Sequence, residues 1–530
     1  SGTPPPRARS PNASPSWPWP PRRARCAERL ASHALTSAPR NREPGGTAYA
    51  TGVGAVGWRN GPNSGIVSNV MDLDPILSEQ NPHWAAPASR RSRAFVYRRP
   101  QFDACYRRLV AASSRRAVAM IGPRYVGKTV LLRQLADRLL DEGASPSSVV
   151  YCNLADERWP TPPSPRDIIR AAELRAGEGT RLFVLFDEIQ VVPRWHAWLK
   201  LAVDETAHRY MVTGSAASAL REGARESGLG RWDEVEIEAL TYAEFCGLAS
   251  GASTSWMGPE RPDSTWLARY LALSGFPDHA TEESEASVRE RVREDVMSRA
   301  IARDLLRLRV DVEQAGRLFL HLAENSGAIL NLKDRAVDLH ANRKSLSKWL
   351  THLVDTRLLV ELRPTTTRQG NGPGKAVRTL RGNLKVYVAD HGLVSAFAPV
   401  PSPLVDPHFR AQMFEAVVFR HLREARRTVN SSPELYARHG ELQLSYWRDE
   451  RGEIDFVVDS RGGRTALEVT SSTKHASEKL AKFNAAAERS GATRRVLVSN
   501  AVATAEVGAV EIVPLEEFLL NTLRFVEPKP

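Results

Sequence analysis

The octet Gly122-Pro123-Arg124-Tyr125-Val126-Gly127-Lys128-Thr129 has the spacing G-x-x-x-x-G-K-T. Residues of these types in this order suit one task. The glycines let the backbone curl until its N–H groups face anionic oxygens, at the positive end of the helix that begins near Val130. The lysine reaches the outer phosphates of a nucleoside triphosphate, and the threonine hydroxyl ligates Mg2+. Downstream, the strand-sized apolar run Leu182-Phe183-Val184-Leu185-Phe186 ends in Asp187-Glu188. Asp187 is expected to hold Mg2+ through water, and Glu188 to orient and polarise the attacking water. Without Glu188 such a site would bind nucleotide and not hydrolyse it. Thr213 and Ser215 follow the run Tyr210-Met211-Val212 and put hydroxyls where a γ-phosphate would be sensed. Arg225 and Arg231 lie just beyond. Either suits an arginine supplied across a subunit interface, Arg231 the better of the two. The expected catalytic set is therefore Lys128, Glu188 and Arg231. The nucleotide contacts are Gly122 through Val130 with Asp187, Thr213 and Ser215, and the Mg2+ ligands are Thr129 and Asp187.

These groups need a scaffold that brings strand ends together. Ala117-Val118-Ala119-Met120-Ile121 reads as a strand buried on both faces of a parallel sheet. Val130, Leu131, Leu135, Leu139 and Leu140 then repeat at helical spacing up to Gly143. Val149-Val150-Tyr151-Cys152 and Tyr210–Thr213 supply further strands of the same sheet. Strand, glycine loop and helix in this order predict an α/β domain over residues 94–247 with the site at the strand ends.

The longer set of motifs has a family likeness. Gly122–Thr129 with Val130-Leu131-Leu132, Phe186-Asp187-Glu188-Ile189-Gln190 with Trp195 and Trp198, Thr213-Gly214-Ser215, Gly230-Arg231 and Leu240-Thr241-Tyr242-Ala243-Glu244-Phe245 stand in one order. That order resembles the prokaryotic AAA-type ATPases that carry a C-terminal domain of unknown function. Ser274-Gly275-Phe276-Pro277 extends the likeness, with Ser274 for the first glycine of that family's Gly-Gly-Phe-Pro. The resemblance covers about residues 94–520. It implies ATP and Mg2+ as ligands, an AAA-like core, a winged-helix segment and a nuclease-like C-terminal fold.

Residues 248–264 read as a linker, and Val288–Leu308 as a helix with alternating charges on a solvated face. Within residues 265–398, helices near Asn331–Val337 and Arg343–Leu350 precede strands at Leu358–Leu362 and Lys385–Val388, around the glycine-rich stretch Gly370–Gly374. Helix, turn, helix and wing is a geometry that places the second helix in the major groove of double-stranded DNA. Arg343, Lys344 and Lys348 would then meet phosphates or bases. Such modules also bind proteins.

In residues 408–525 three acids stand out: Glu415 in a helix, Asp455 at a strand start and Glu468 on the next strand. They resemble the PD-(D/E)XK nuclease core, which implies a second metal site. The pattern departs at Thr470, where that core has a lysine; Lys474 and Lys479 are the nearby cations. The domain is read as a nuclease fold that binds more than it cuts.

Composition limits the alternatives. With 42% hydrophobic and 25% charged residues, the 530-residue chain has the mix of a globular protein. No apolar run approaches the ~20 residues that cross a membrane. Cys26, Cys105, Cys152 and Cys246 are scattered, which fits a reducing cytoplasm. Residues 1–70 hold nine arginines and two acids, a net +7, leaving +5 to the rest. This Pro-, Arg- and Ser-rich leader is expected to be disordered, either a transit segment or sequence upstream of a start at Met71. The function expected is Mg2+-dependent ATP hydrolysis coupled to the winged-helix and nuclease-like modules, acting on DNA or a protein, with self-assembly through the arginines. The alternatives are a nucleotide-gated DNA-binding or signalling switch with little turnover, and an ATP-coupled DNA nuclease.

Overall fold

The computed structural model describes residues 73–527, apart from 91, 93–94, 112–114, 215–229, 256–263, 283, 303–309, 340, 366–383 and 474–476. Ser215, Arg225, the Gly370–Gly374 stretch, Lys474 and the leader lie outside the described residues. Contacts divide the chain into residues 1–62 and 63–530, and all that follows concerns the second unit.

Five strands form the first sheet: β1 (Ala117–Ile121), β2 (Val149–Asn153), β3 (Phe183–Asp187), β4 (Arg209–Gly214) and β5 (Trp232–Glu236). Their order is β2-β3-β4-β1-β5, and every pairing is parallel. Central strands buried on both faces must be apolar throughout, and β1 is buried at every residue. β5 was missed in the sequence. Its Trp-Asp-Glu-Val-Glu pattern buries only Trp232 and Val235, as suits an edge strand.

Helix α1 (Asp74–Gln80) and α2 (Gln101–Val110) precede and open the sheet. α3 (Lys128–Asp141) follows the glycine loop, and α4 (Pro165–Ala176) and α5 (Trp195–Glu205) make crossovers. Trp195 and Trp198 pack under β3, with Trp198 edge-on to Phe186 at 5.6 Å. The opposite edge, β2, is sealed by side chains from a segment before residue 94. Asn81 accepts from Tyr151 N–H at 2.7 Å and donates to Tyr151 O at 2.8 Å. Gln80 Oε1 accepts from Asn153 N–H at 2.8 Å, and Trp84 Nε1 donates to Val149 O at 3.0 Å. An edge covered in this way offers no strand template.

α6 (Tyr242–Ala249) begins at a capping box in which Thr241 and Glu244 satisfy each other's backbone N–H. Past α7 (Ser264–Ala272) and α8 (Glu285–Glu294) lie α9 (Val312–Glu324), α10 (Leu332–Asp338) and α11 (Arg343–Asp355). Asn342 caps α11 by accepting from Ser345 N–H at 2.8 Å. β6 (Ile329–Leu330), β7 (Leu359–Leu362) and β8 (Leu384–Val388) make an antiparallel sheet in the order β6-β8-β7. The family-like Ser274-Gly275-Phe276-Pro277 is a junction: Gly275 N–H donates to both oxygens of the buried Asp390, which also caps α12 (His391–Phe397). A Cβ at Gly275 would meet Asp390 Oδ2 at 2.5 Å, so glycine is required there.

The C-terminal sheet is mixed and six-stranded, in the order β13-β14-β12-β11-β10-β9. Its strands are β9 (Gln443–Arg448), β10 (Glu453–Ser460), β11 (Gly463–Val469), β12 (Arg494–Ser499), β13 (Ala505–Val507) and β14 (Val510–Pro514). α13 (Pro407–Ser431) is started by Asp406, which accepts from His408 and Phe409 N–H, and by Pro407 in the first turn. α14 (Pro433–His439), α15 (Ser477–Ser490), α16 (Leu515–Leu520) and α17 (Thr522–Val526) complete the chain. α13 is also pinned to the first domain. Tyr242 N–H donates to His421 Nε2 at 2.9 Å, and His421 Nδ1 bonds Val417 O at 2.8 Å. Burial pulls His421 down to about 3, so the ring is neutral with its proton on Nδ1. Among the described residues no helix is long and apolar enough to cross a membrane.

Candidate functional site

The loop between β1 and α3 curls through Tyr125 (φ 65°) and Gly127 (φ 88°), both left-handed. Gly122 serves a different end from the one its place in the motif suggests. A Cβ there would lie 1.8 Å from Ile237 O, so it makes room for the chain leaving β5 rather than for a left-handed turn. Lys128 is buried, and its Nζ donates to Gly122 O at 2.9 Å and Pro123 O at 2.7 Å. Those carbonyls are neutral, and an anionic oxygen offered at the loop would outcompete them.

β3 and β4 bring their ends to the same place. Asp187 is buried and accepts three hydroxyls: Thr129 Oγ1 at 2.7 Å, Tyr151 OH at 3.1 Å and Thr213 Oγ1. Thr213 also accepts from Glu188 N–H at 3.0 Å, so one hydroxyl ties the two acids together. Glu188 stands in the left-handed region (φ 57°), and its carboxylate accepts from Gln190 Nε2. Burial and the adjacent Asp187 push the Tyr151 phenol above its usual value, so it stays a donor. Lys128, Thr129, Asp187, Glu188 and Thr213 thus stand together. Thr129 with Asp187 supplies the hydroxyl and carboxylate that a Mg2+ on a bound triphosphate takes, and these residues fit that group. Arg231 is not brought to this site. The β1–β5 register pairs Ala117 with Trp232 and Ile121 with Glu236. Arg231 therefore sits at the far end of the sheet, about 16 Å from the loop at ~3.3 Å per residue, in an ion pair with Asp204 at 2.7 Å.

A buried arginine that the sequence did not reveal fastens the loop. Arg99 Nη1 donates to Val126 O at 2.9 Å and to Glu238 O at 2.6 Å, while Nε donates to Glu244 Oε1 at 2.9 Å. On the other side of the same acids, α13 presents Arg420, Arg423 and Arg427 on one face. Arg420 donates to Ala239 O at 2.6 Å and lies 3.3 Å from Glu238, Arg423 pairs with Glu238, and Arg427 donates to Glu236 O at 2.8 Å. Arg357 meets Glu236 at 2.7 Å. Burial pulls Arg423 down to about 10. Burial works to raise Glu236, but Arg423 and Arg357 hold it below its ordinary value.

The same α13 carries Glu415 and packs on β9 and β11 of the C-terminal sheet. The pairing of Phe456 with Leu467 sets Asp455 and Glu468 side by side at the ends of β10 and β11. Asp455 Oδ2 accepts from Val469 N–H at 3.0 Å, and Glu415 Oε1 accepts from Tyr387 OH. Burial and then Asp455 push Glu415 up to about 8 and Glu468 well above its ordinary value. Among the described residues no three Asp, Glu, His or Cys side chains are grouped to hold a metal ion. The expected second metal site at Glu415, Asp455 and Glu468 therefore does not fit a metal as these residues stand. Lys479 acts on Glu468 electrostatically, but the cation at the centre is Lys385 of β8. Its lone charge in an apolar strand was the available signal.

On α11, Leu346, Trp349, Leu350 and Leu353 are buried, while Arg343, Lys344, Ser347, Lys348 and Thr351 are exposed around an open depression of about 560 Å³.

Residues 114–246 match a family described as an AAA domain, in keeping with the parallel five-stranded sheet of a P-loop, AAA-like α/β fold. Residues 264–404 and 410–518 match two domains of unknown function, DUF8612 and DUF4143. An uncharacterized protein of Mycobacterium tuberculosis is 26% identical over 416 residues, covering 77% of this chain and 81% of its own. An uncharacterized protein of Haemophilus influenzae is 24% identical over 281 residues, covering 51% of this chain and 66% of its own. Among solved structures, the Aeropyrum pernix ORC1 protein in complex with DNA is 12% identical, with a TM-score of 0.26 over 60% of this chain and 96% of that one. Cdc6p from Pyrobaculum aerophilum is 12% identical, with a TM-score of 0.24 over 62% and 92%.

Proposed function

We propose that the chain binds ATP with Mg2+ at the loop, hydrolyses it, and transmits the nucleotide state through α13 to the middle and C-terminal modules. The observation that carries this is Asp187, held by Thr129, Tyr151 and Thr213 beside a half-buried Glu188. Lys128 exchanges the carbonyls of Gly122 and Pro123 for phosphate oxygens. Thr129 and Asp187 hold the Mg2+, which supplies charge neutralisation on the phosphates. Glu188, released from Gln190, accepts a proton from the attacking water, and Thr213 keeps the two acids in register. The arginine-fastened acids Glu236, Glu238 and Glu244 lie between the loop and α13, and this path supports coupling rather than isolated turnover.

The partner we propose is double-stranded DNA, read by the α10–α11 pair and the β7–β8 ribbon as a winged helix with Arg343, Lys344 and Lys348 on phosphates. Their clustering on the exposed side of α11 supports it. The test is steady-state ATP hydrolysis by the full chain, with and without duplex DNA, beside Lys128→Ala. Turnover that DNA raises and the substitution abolishes is expected. Turnover indifferent to DNA would move the partner to protein, and ATP binding without turnover would make the chain a switch. If three phosphates are contacted, the logarithm of DNA affinity falls with that of salt at a slope near −2.7, about −0.9 per phosphate.

A further inference from the structure

The acid centre of the C-terminal module already contains a cation. Lys385, its side chain 3% exposed, points from β8 into the carboxylates. Its Nζ is 2.6 Å from Glu453 Oε1, 3.5 Å from Asp455 Oδ1 and 3.7 Å from Glu415 Oε1. Tyr387, two residues on and so on the same face of β8, donates its hydroxyl to Glu415. The remaining oxygen of Asp455 takes the Val469 N–H. Glu415 Oε1, Glu453 Oε1 and both oxygens of Asp455 thus each face an ammonium, a phenol or an amide.

A metal held by these carboxylates would stand about 2.0–2.6 Å from their oxygens, and Nζ, 2.6 Å from Glu453 Oε1 and 3.5 and 3.7 Å from the oxygens of Asp455 and Glu415, occupies the space among them. Two like charges in one buried space repel strongly. Thr470, at the position where a lysine was expected, is turned to the backbone: its N–H donates to Val498 O at 2.9 Å, and its Oγ1 accepts from Ser472 N–H at 3.3 Å.

We infer that the Lys385 ammonium takes the place of a metal ion among Glu415, Glu453 and Asp455, making this centre a metal-free ionic clasp between β8 and the C-terminal sheet. The clasp binds neither Mg2+ nor Mn2+, and no metal-activated water forms there. This inference does not depend on ATP hydrolysis.

The test counts Mn2+ by electron paramagnetic resonance on the nucleotide-free full chain. It compares the natural chain, Asp455→Asn, Lys385→Met and the double variant. The natural chain and Asp455→Asn should hold the same number of ions. Lys385→Met should gain about one ion, and the double variant should lose it. A Mn2+ that Asp455→Asn removes from the natural chain overturns the inference, and so does a folded Lys385→Met that gains none. Should Lys385→Met fail to fold, as its circular dichroism would show, the first pair decides. Equal occupancy, with a melting temperature indifferent to Mn2+, upholds the clasp, and an Asp455-dependent ion sinks it.

Discussion

The centre around Lys128 and the centre around Lys385 use the same parts: a buried lysine, carboxylates at strand ends and hydroxyl donors. They differ in what the lysine touches. Lys128 leans on two neutral carbonyls, while Asp187 is held by three neutral hydroxyls. These partners are neutral groups that a charged ligand displaces. Lys385 and its acids are collapsed on one another. Contacts to neutral groups suit a site that can act, and contacts between opposite charges make a fastening.

If the first centre is the catalytic one, Glu188→Gln should lower ATP turnover about 10²–10⁴-fold, the usual worth of a positioned base. Displacement of a fluorescent ATP analogue should show binding retained. Unchanged turnover would remove Glu188 from the chemistry. The fastening should show in stability instead. Lys385→Met strands half-buried carboxylates and should lower stability in urea denaturation by about 1–3 kcal/mol, whereas Lys128→Ala should lower it less and abolish ATP binding. Equal stability costs would erase the contrast. Gly122→Ala tests whether space at the loop is as strict as the 1.8 Å approach of Ile237 O implies. It should cost about 1–3 kcal/mol of overpacking, read as a lower melting temperature with weakened ATP binding, and a neutral effect would mean that the β5 exit yields.

The last prediction concerns the helix that joins the two centres. His421 has a folded value of about 3, below its ordinary 6.5. Between those values the unfolded chain takes up a proton that the folded chain refuses. This contribution is therefore whole above pH 6.5 and is lost as pH falls toward 3, by about 1.4 kcal/mol per unit. Stability of the natural chain should fall more steeply over pH 6–4 than that of His421→Gln. Parallel slopes would show that His421 is not held neutral.

The parts legible in the sequence were those whose physics is local. β1, β3 and β4 are continuous apolar runs because both their faces are covered. The loop motif sets its own geometry through residues adjacent in the chain. β5 was hidden because an edge strand can carry Asp233, Glu234 and Glu236. The arginines at 99, 420, 423 and 427 look like solvated charges until folding sets Glu238 and Glu244 between them. Lys385 was hidden by distance, since it meets Asp455 from 70 residues away. Arg231, at the far end of β5 from the loop of its own chain, could meet a nucleotide only across a subunit interface, the role in which the sequence offered it.

The side chains that seal β2 have a practical consequence. A fragment cut at residue 94, where the motifs begin, would keep every nucleotide contact and lose Gln80, Asn81 and Trp84. The unguarded row of N–H and C=O groups on Val149–Asn153 would then recruit a second copy by strand addition. Solubility of the first domain would thus rest on a short segment that reaches its site only through the backbone of Tyr151, and trimming to the motif would yield aggregates that mimic assembly.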